Sequence, residues 1–273
     1  MYSPKELLEI VEKEIKCLNL PDQPNDLYEP IKYIVSIGGK RLRPVITLLS
    51  CNVFSEDIDN AIKPSIGLEL FHNFTLIHDD IMDNALIRRG QQTIHSKWNE
   101  NIAILSGDAL NIIAYMMISE TPSRFISQVL KIFNDTALKV CEGQQYDMDF
   151  ESSEKVSENE YLKMIELKTS VLVAACMKIG AIIGNASQQY CDNMYLAGLN
   201  FGLAFQLQDD FLDTFGDEKI FGKEIGKDII SNKKTYLLIK ALEISNKIQL
   251  AELNKWLSAK NFDNNEKISK VKT

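Results

Sequence analysis

Residues 68–83 read LELFHNFTLIHDDIMD, an apolar run that ends in a cluster of aspartates. Residues 199–213 repeat the pattern as LNFGLAFQLQDDFLD. On an α-helix, the first and last aspartates of each cluster lie one turn apart on the same face. Like charges at that spacing destabilise a helix, whereas Mg²⁺ ions would relieve the repulsion. The doubled pattern therefore predicts two helices that hold divalent cations through Asp79, Asp80, Asp83, Asp209, Asp210 and Asp213.

The rest of the chain is typical of a helical globular protein. Apolar residues make up 45% of the 273 residues, and glycine and proline number only 13 and 7. No proline follows Pro122, and no run of alternating polarity is long enough for a convincing strand. Residues 21–30, which hold three prolines, are predicted to form a loop, and residues 264–273 begin like a capped helix. We expect an all-α fold, a single domain over residues 1–273 with about ten helices.

Charge and cysteine usage restrict the class of protein. A net charge of −8 argues against general binding to nucleic acid, which depends on neutralising phosphates. Five scattered cysteines without C-x-x-C spacing indicate reduced thiols and a cytoplasmic location. The N-terminal residues lack the apolar region of a signal peptide. The most apolar stretch, Val171–Gly184, is too short to span a membrane and is predicted to be a buried helix.

Basic residues accompany both aspartate clusters. Residues 38–44, GGKRLRP, place three cations beside a glycine pair, and Arg88 and Arg89 follow the first cluster closely. Arginine and lysine are the usual ligands of phosphate groups, so these residues predict an additional anion site. The apolar runs before the aspartates could line a tunnel for a hydrocarbon tail. A diphosphate joined to an apolar chain, as in an allylic prenyl diphosphate, fits both features.

Four motifs together resemble one known family. GGKRLRP (38–44), HDDIMDNALIRRG (78–90), FQLQDDFLD (205–213) and FGKEIGKD (221–228) are similar to the trans-isoprenyl diphosphate synthases, the polyprenyl synthetase family. The resemblance implies a helical bundle around a deep apolar cavity, a homodimer, and Mg²⁺ as cofactor, with three ions per active site when substrate is bound. Members are usually longer than this chain, so the resemblance leaves room for residues after Thr273.

The resemblance also assigns roles. The six aspartates would hold the Mg²⁺ ions on the allylic diphosphate, and all but Asp213, together with Lys168, would be catalytic. Contacts to the allylic diphosphate are implied for Arg88, Lys168, Thr169, Gln206, Lys223 and Lys233. Binding of the second substrate, isopentenyl diphosphate, is implied for Lys40, Arg43, His72 and Arg89. Chain length would depend on Phe71, Phe74 and Thr75, which precede the first aspartates.

The implied reaction is ionisation followed by condensation. Cations stabilise the departing diphosphate, and the allylic cation is attacked by the double bond of isopentenyl diphosphate. The resulting cation then loses a proton to the released diphosphate. An aromatic residue at position 74 favours a short product, C20 geranylgeranyl diphosphate or else C15 farnesyl diphosphate. Two alternatives remain open, a class I terpene cyclase and a non-catalytic partner subunit of a synthase.

Overall fold

The computed structural model describes residues 1–216, 225–259 and 261–272, and these are overwhelmingly helical, which confirms the predicted all-α class. The helices of the N-terminal half are α1 (Pro4–Lys16), α2 (Asn25–Ser36), α3 (Leu42–Asn52), α4 (Asp59–Met82), α5 (Ile94–Lys97), α6 (Glu100–Ser119) and α7 (Ser123–Ser152). The others are α8 (Glu158–Ile165), a π-helical turn (Glu166–Ser170), α9 (Val171–Ile183), α10 (Gln188–Phe215), α11 (Lys227–Ile230), α12 (Tyr236–Ile244), α13 (Lys247–Ser258) and α14 (Asn264–Val271).

Local sequence signals account for several helix ends. Ser3 caps α1 in a reciprocal capping box with Glu6, and Ser157 caps α8 in the same way with Glu160. Asp263 caps α14 by accepting a hydrogen bond from the Glu266 N–H. Each cap satisfies backbone donors that the first helical turn leaves without partners. The capped start predicted for residues 264–273 is therefore confirmed.

The chain divides into two compact units. The first unit comprises Met1–Ala137 and Leu172–Gly198. Within it, α4 packs most extensively against α6, and Gly67 and Gly107 make close approach possible. A Cβ on Gly67 would lie 2.8 Å from the Ala114 carbonyl oxygen, too near for any larger residue. This close packing holds the end of α4, which carries the first aspartate cluster.

The second unit comprises Leu138–Val171 and Leu199–Thr273. Its core is an apolar cluster from three segments, α7, α8 and α12, with Phe150, Tyr161, Met164 and Ile239 among its members. The second aspartate cluster lies at the end of α10, within this unit. The assignment of residues 1–273 to a single domain stays a prediction.

One local prediction was wrong, and one local feature was not predicted. Residues 25–30 are helical rather than part of a loop. Pro24 is the N-cap, where its missing N–H costs no helical bond, and Pro30 lies inside α2 and removes one backbone hydrogen bond. A short antiparallel hairpin also follows α4, pairing β1 (Ile87–Arg88) with β2 (Gln91–Gln92). Its turn residues, Arg89 and Gly90, both have positive φ (53° and 74°), which is typical of a type I′ turn. Asparagine or aspartate usually precedes the glycine of such turns, so the sequence signal is weak.

Two helices contain the most apolar sequence. The helix α9 is buried along nearly its whole length, as predicted for residues 171–184. The helix α6 is long and apolar enough to cross a membrane by length and composition, with a mean hydropathy of 1.6. A third of its most apolar window, 33%, is buried inside the protein. Core helices of soluble proteins meet the same criteria, so these values alone do not identify α6 as a membrane-spanning helix.

Candidate active site

The first aspartate cluster lies at the C-terminal end of α4. Asp79 and Asp80 are in the last helical turn, and Asp83 is the exposed residue that caps the helix. A helix C-terminus carries partial negative charge, so three carboxylates there are electrostatically unfavourable without a cation. Burial raises the pKa of Asp80 to about 6, although the nearby Arg88 guanidinium opposes that shift. The helix thus ends in a site that favours positive charge.

Arg88 supplies a cation to this site. Its Nε donates to Asp80 Oδ1 at 2.7 Å, and its Nη2 donates to Asp79 Oδ2 at 3.1 Å. The β1–β2 hairpin brings Arg88 back against the end of α4, and the strained positive φ of Arg89 accompanies that turn. Arg88 was predicted to bind a diphosphate, but neither its pairing with these aspartates nor the hairpin that produces it was predicted.

The basic residues predicted to bind isopentenyl diphosphate gather in the same unit. Burial, together with the charges of Arg43 and Arg89, lowers the pKa of His72 well below its usual value. The Nε atom of Arg43 is buried and has no hydrogen-bond partner among the described residues. The guanidinium of Arg89 donates to the carbonyl oxygen of Gly38. Lys40, two residues after Gly38, is exposed to solvent. A buried guanidinium donor with no partner beside further cations is suited to an anion.

Arg41, the middle cation of the GGKRLRP segment, has a structural role instead. It is buried and forms ion pairs with Glu12 at 3.0 Å and with Glu69 at 3.1 Å. Its guanidinium also donates to the Val35 carbonyl oxygen. These contacts attach the glycine-containing segment to α1, α2 and α4. The neighbouring cations are thereby held at a defined position in the first unit.

The second aspartate cluster, at the end of α10, is stabilised by neutral donors. Asp210 is buried; Tyr161 donates its hydroxyl to Oδ2, and Gln206 donates from Nε2 to Oδ1 at 3.0 Å. Thr169 donates in turn to Gln206 Oε1 at 3.2 Å. Burial raises the pKa of Asp210, and the two side-chain donors act in the opposite direction. Each carboxylate oxygen of Asp210 therefore has a side-chain donor within the protein.

Asp228 joins this second cluster. Its backbone N–H donates to Asp213 Oδ2 at 3.1 Å. Burial raises the pKa of the Asp228 carboxyl to about 7, and the charges of Asp213, Asp210 and Asp209 add to the effect while Lys233 opposes it. The FGKEIGKD motif contains Asp228, yet no role was predicted for this residue. A fourth carboxylate at this end of α10 increases the demand for cations.

Lys168 and Thr169 lie on the π-helical turn between α8 and α9. Such turns are rare and often occur at functional sites. Two glycines permit close packing around it: a Cβ on Gly143 would lie 2.2 Å from the Lys168 backbone nitrogen, and one on Gly202 would lie 2.5 Å from Ser170 Cα. The turn thereby directs Thr169 to Gln206 of α10. The sequence predicted both residues as a pair but not the turn that displays them.

Asp147 of α7 was also not predicted. Its Oδ2 accepts a hydrogen bond from Lys168 Nζ at 2.6 Å and lies 4.0 Å from Lys233 Nζ. The signal that could have identified it is local, since Gly143 and Asp147 are one helical turn apart and so share a face. Lys223, a further predicted diphosphate ligand, lies outside the described residues.

The residues predicted to limit chain length lie together on α4. Phe71 is only 2% exposed, and its ring centroid lies 5.1 Å from that of Phe133 and 5.6 Å from that of Phe74. Phe74 is half-buried and contacts His78, with ring centroids 4.7 Å apart. Thr75 donates its hydroxyl to the His72 carbonyl oxygen. Phe71 is thus a core residue, while Phe74 is the more accessible ring.

Within the described part of the chain, no three histidine, cysteine, aspartate or glutamate side chains converge as a ready-made metal site. The donor chemistry nevertheless suits Mg²⁺, which keeps several waters and takes one or two carboxylates together with substrate phosphates. Asp79, Asp83, Asp209 and Asp213 are partly or fully exposed, whereas Asp80 and Asp210 are buried. The exposed carboxylates fit a cation that the substrate helps to hold.

Comparisons with known proteins agree with this site. A model of the Polyprenyl synthetase family matches residues 24–273. Geranylgeranyl diphosphate synthase of Methanosarcina mazei is 42% identical over 231 residues, which are 84% of this chain and 71% of the relative. A short chain isoprenyl diphosphate synthase of Methanocaldococcus jannaschii is 38% identical over 97% of this chain and 81% of its own.

Solved structures have the same fold. A crystal structure of a geranylgeranyl pyrophosphate synthase superposes with a TM-score of 0.95 and 46% identity, covering 100% of this chain and 84% of that chain. The corresponding synthetase from Pyrococcus horikoshii gives a TM-score of 0.91 at 35% identity, covering 98% and 82%. The family, the fold and the enzyme class predicted from the motifs are therefore confirmed. The chain belongs to the polyprenyl synthetase family and is an all-α prenyltransferase.

Proposed function

We propose that the protein condenses isopentenyl diphosphate with allylic diphosphates to give a linear trans-prenyl diphosphate, chiefly C20 geranylgeranyl diphosphate. One observation carries the proposal: each unit contains both carboxylates at a helix C-terminus and cations suited to a diphosphate. In the first unit these are Asp79, Asp80 and Arg88. In the second they are the aspartates of α10 with Lys233, whose charge acts on Asp210, and Lys168, which shares Asp147 with Lys233.

Mg²⁺ is the cofactor expected for this reaction. Asp79, Asp83, Asp209 and Asp213 are the carboxylates accessible enough to hold it, and Asp80 and Asp210 would orient their neighbours. When bound, Mg²⁺ neutralises the diphosphate as it leaves the allylic carbon. Arg88 and Lys168 stabilise the same departing charge with N–H donors, and Thr169 and Gln206 fix their surroundings. Lys223 and Lys233 are expected to contribute further positive charge.

Isopentenyl diphosphate is proposed to bind at the basic cluster of the first unit. Arg43, Arg89 and Lys40 would hold its diphosphate, and the unpartnered Nε of Arg43 supports that role. His72, kept neutral because burial and arginine charges lower its pKa, can donate one hydrogen bond without repelling the arginines. The substrate then places its double bond, not a protein nucleophile, as the attacking group.

Chain length is proposed to depend on α4. Phe74 is half-buried one to two turns before Asp79, so its ring could stop a growing tail, with Phe71 behind it and Thr75 leaving space beside it. The names of several relatives agree with a C20 product, since those from Methanosarcina mazei and Sulfolobus acidocaldarius are geranylgeranyl diphosphate synthases. C15 farnesyl diphosphate is the second expected product.

The test is product analysis. Purified protein would be incubated with Mg²⁺, isopentenyl diphosphate and the C5, C10 or C15 allylic diphosphate, with a chelator as control. Linear products up to C20 that disappear with the chelator would support the proposal. A cyclised hydrocarbon would identify a terpene cyclase instead. Absence of any product would favour a non-catalytic partner subunit.

A cytoplasmic homodimer is also proposed. All five cysteines are unpaired, which agrees with a reducing compartment. One face of α6 exposes Ile104, Leu105, Ile112 and Met116, each more than 40% accessible. Apolar residues exposed together on one helix face indicate a contact surface. Sedimentation analysis should give twice the chain mass, and charged substitutions at Ile112 and Met116 should yield monomers.

A further inference from the structure

We propose that Asp147 is a positioning residue for the diphosphate-binding lysines, holding the ammonium groups of Lys168 and Lys233 in place before substrate binds. The inference rests on the proposed function, because it concerns the lysines assigned there to the allylic diphosphate. Asp147 itself would not contact the reacting carbons.

The geometry places one carboxylate oxygen next to both cations. Asp147 Oδ2 lies 2.6 Å from Lys168 Nζ and 4.0 Å from Lys233 Nζ. The side chain of Asp147 is only 15% exposed, whereas that of Lys233 is 43% exposed. Although burial acts to raise it, the charges of Lys233 and Lys168 bring the pKa of Asp147 below its usual value. The carboxylate is thus anionic at neutral pH.

The backbone of α7 near Asp147 also packs closely against the segment that carries Lys168. Gly143, one turn earlier on α7, allows the Lys168 backbone to pack directly against that helix. The same face of α7 therefore contacts the π-helical turn through its backbone and binds the lysine through its carboxylate. A lysine on a long flexible stem needs such a partner to keep one position. An ammonium has three N–H donors, so a bond to one oxygen does not exhaust it.

Charge gives a second reason for the arrangement. Two ammonium groups drawn toward one diphosphate site repel each other when no anion is present. A carboxylate near both offsets that repulsion and keeps them close. Without it, that repulsion would be larger and the two ammonium groups would be held less closely together. The substrate would then have to order both side chains when it binds.

A purely structural ion pair makes different predictions. If Asp147 only stabilised the fold, its loss would lower the melting temperature and affect both substrates alike. If it positions the two lysines, its loss weakens the allylic diphosphate site and leaves the isopentenyl diphosphate site of the first unit unchanged. Asp149 provides a matched control on the same helix, since it is exposed and accepts a hydrogen bond from Gln145.

The first experiment measures binding without turnover. Calorimetry with inorganic diphosphate and Mg²⁺ would compare the wild type with Asp147→Asn and Asp149→Asn. We expect about 10-fold weaker binding for Asp147→Asn and unchanged binding for Asp149→Asn. Equal or tighter binding by Asp147→Asn would overturn the inference, as would a wild-type chain that binds no diphosphate. Because no catalysis is needed, failure of the proposed function would be recognised separately in the product assay.

The second experiment separates the two substrates. Asp147→Asn should raise the KM for the allylic diphosphate about 10-fold and leave the KM for isopentenyl diphosphate within about twofold. Asp147→Glu, which keeps the charge but moves it by one methylene, should restore part of the loss. If Asp147→Asn does not fold, Asp147→Glu alone decides: unchanged diphosphate affinity would contradict a positioning role, and selective weakening would support it. Equal rises in both KM values would also count against the inference.

Discussion

Asp80 and Asp210 occupy the same place in two copies of one motif, yet the protein satisfies them differently. Asp80 is bound by a cation, the guanidinium of Arg88, at 2.7 Å. Asp210 is bound by two neutral donors, the Tyr161 hydroxyl and the Gln206 amide. A guanidinium can exchange a carboxylate partner for a diphosphate, because it forms the same paired N–H hydrogen bonds with both. We propose that the first motif exchanges a partner when a diphosphate binds and that the second keeps its partners.

The charges around the two motifs also differ in sign. Burial, together with the arginines around the first motif, lowers the pKa of His72. Burial and the carboxylates around the second motif raise the pKa of Asp228 to about 7. The charges next to His72 are therefore positive, and those next to Asp228 are mainly negative. Four predictions test this contrast.

The largest effect is expected at Asp79, a carboxylate of the exchangeable motif. Asp79→Asn removes the negative charge that would hold a cation, so kcat should fall by ~10³-fold or more. Steady-state assays with the C15 allylic diphosphate would measure the loss, and Asp149→Asn would serve as the control. Activity within tenfold of wild type in a folded Asp79→Asn protein would contradict the assigned role.

Arg88 should give the next effect. Arg88→Gln removes two charge-assisted hydrogen bonds and leaves Asp80 buried without its cation, so we expect kcat/KM for the allylic substrate to fall by ~10²-fold. The exposed Arg124→Gln is the matched control. If the loss appeared only in stability, with kcat/KM unchanged, Arg88 would be a structural partner of Asp80 and the proposed exchange would be wrong.

Tyr161 tests the other half of the comparison. Tyr161→Phe removes one neutral donor from buried Asp210, which should lower the free energy of unfolding by about 1–3 kcal/mol. Activity should fall less than for Arg88→Gln, since Gln206 still holds the carboxylate. Urea unfolding and kinetics would measure both, with the exposed Tyr146→Phe as control. A loss of activity larger than that of Arg88→Gln would reverse the proposed difference between the motifs.

His72 should give the smallest effect, seen as a pH dependence. Its pKa is lower in the folded protein than the unfolded value near 6.5, so the unfolded chain binds more protons below that pH. The contribution of His72 to the free energy of unfolding is therefore fully present above pH 6.5. It decreases as the pH falls, by at most about 1.4 kcal/mol per pH unit. His72→Gln should remove that part of the slope in urea unfolding measured from pH 7 to pH 5. An unchanged slope would show that His72 titrates normally.

The fold class, the family and the helices that end in aspartates follow from the amino-acid sequence alone. Each rests on local information: apolar residues at helical spacing, carboxylates one turn apart, and basic residues next in sequence to the clusters. Such features require no distant contact, so Asp79 and Arg88 can be identified from their neighbours in sequence, whereas Lys168 was identified only from the family resemblance. The loop predicted over residues 21–30 was wrong over residues 25–30, because proline content is only an indirect signal of backbone conformation.

The way in which these residues are held is a property of the tertiary structure. Asp147 and Tyr161 lie 21 and 49 residues from the lysine and the aspartate that they bind, so the sequence does not show these pairings. Asp228 lies in the FGKEIGKD motif, but its approach to Asp213 also depends on the folded chain. Their contacts depend on backbones that pack closely, as at Gly143, and on the turn that returns Arg88 to α4. Burial and neighbouring charge set the ionisation of Asp80, His72 and Asp228, and both are properties of the folded chain. Local spacing selects which residues can do the chemistry, and long-range packing fixes their charge and position.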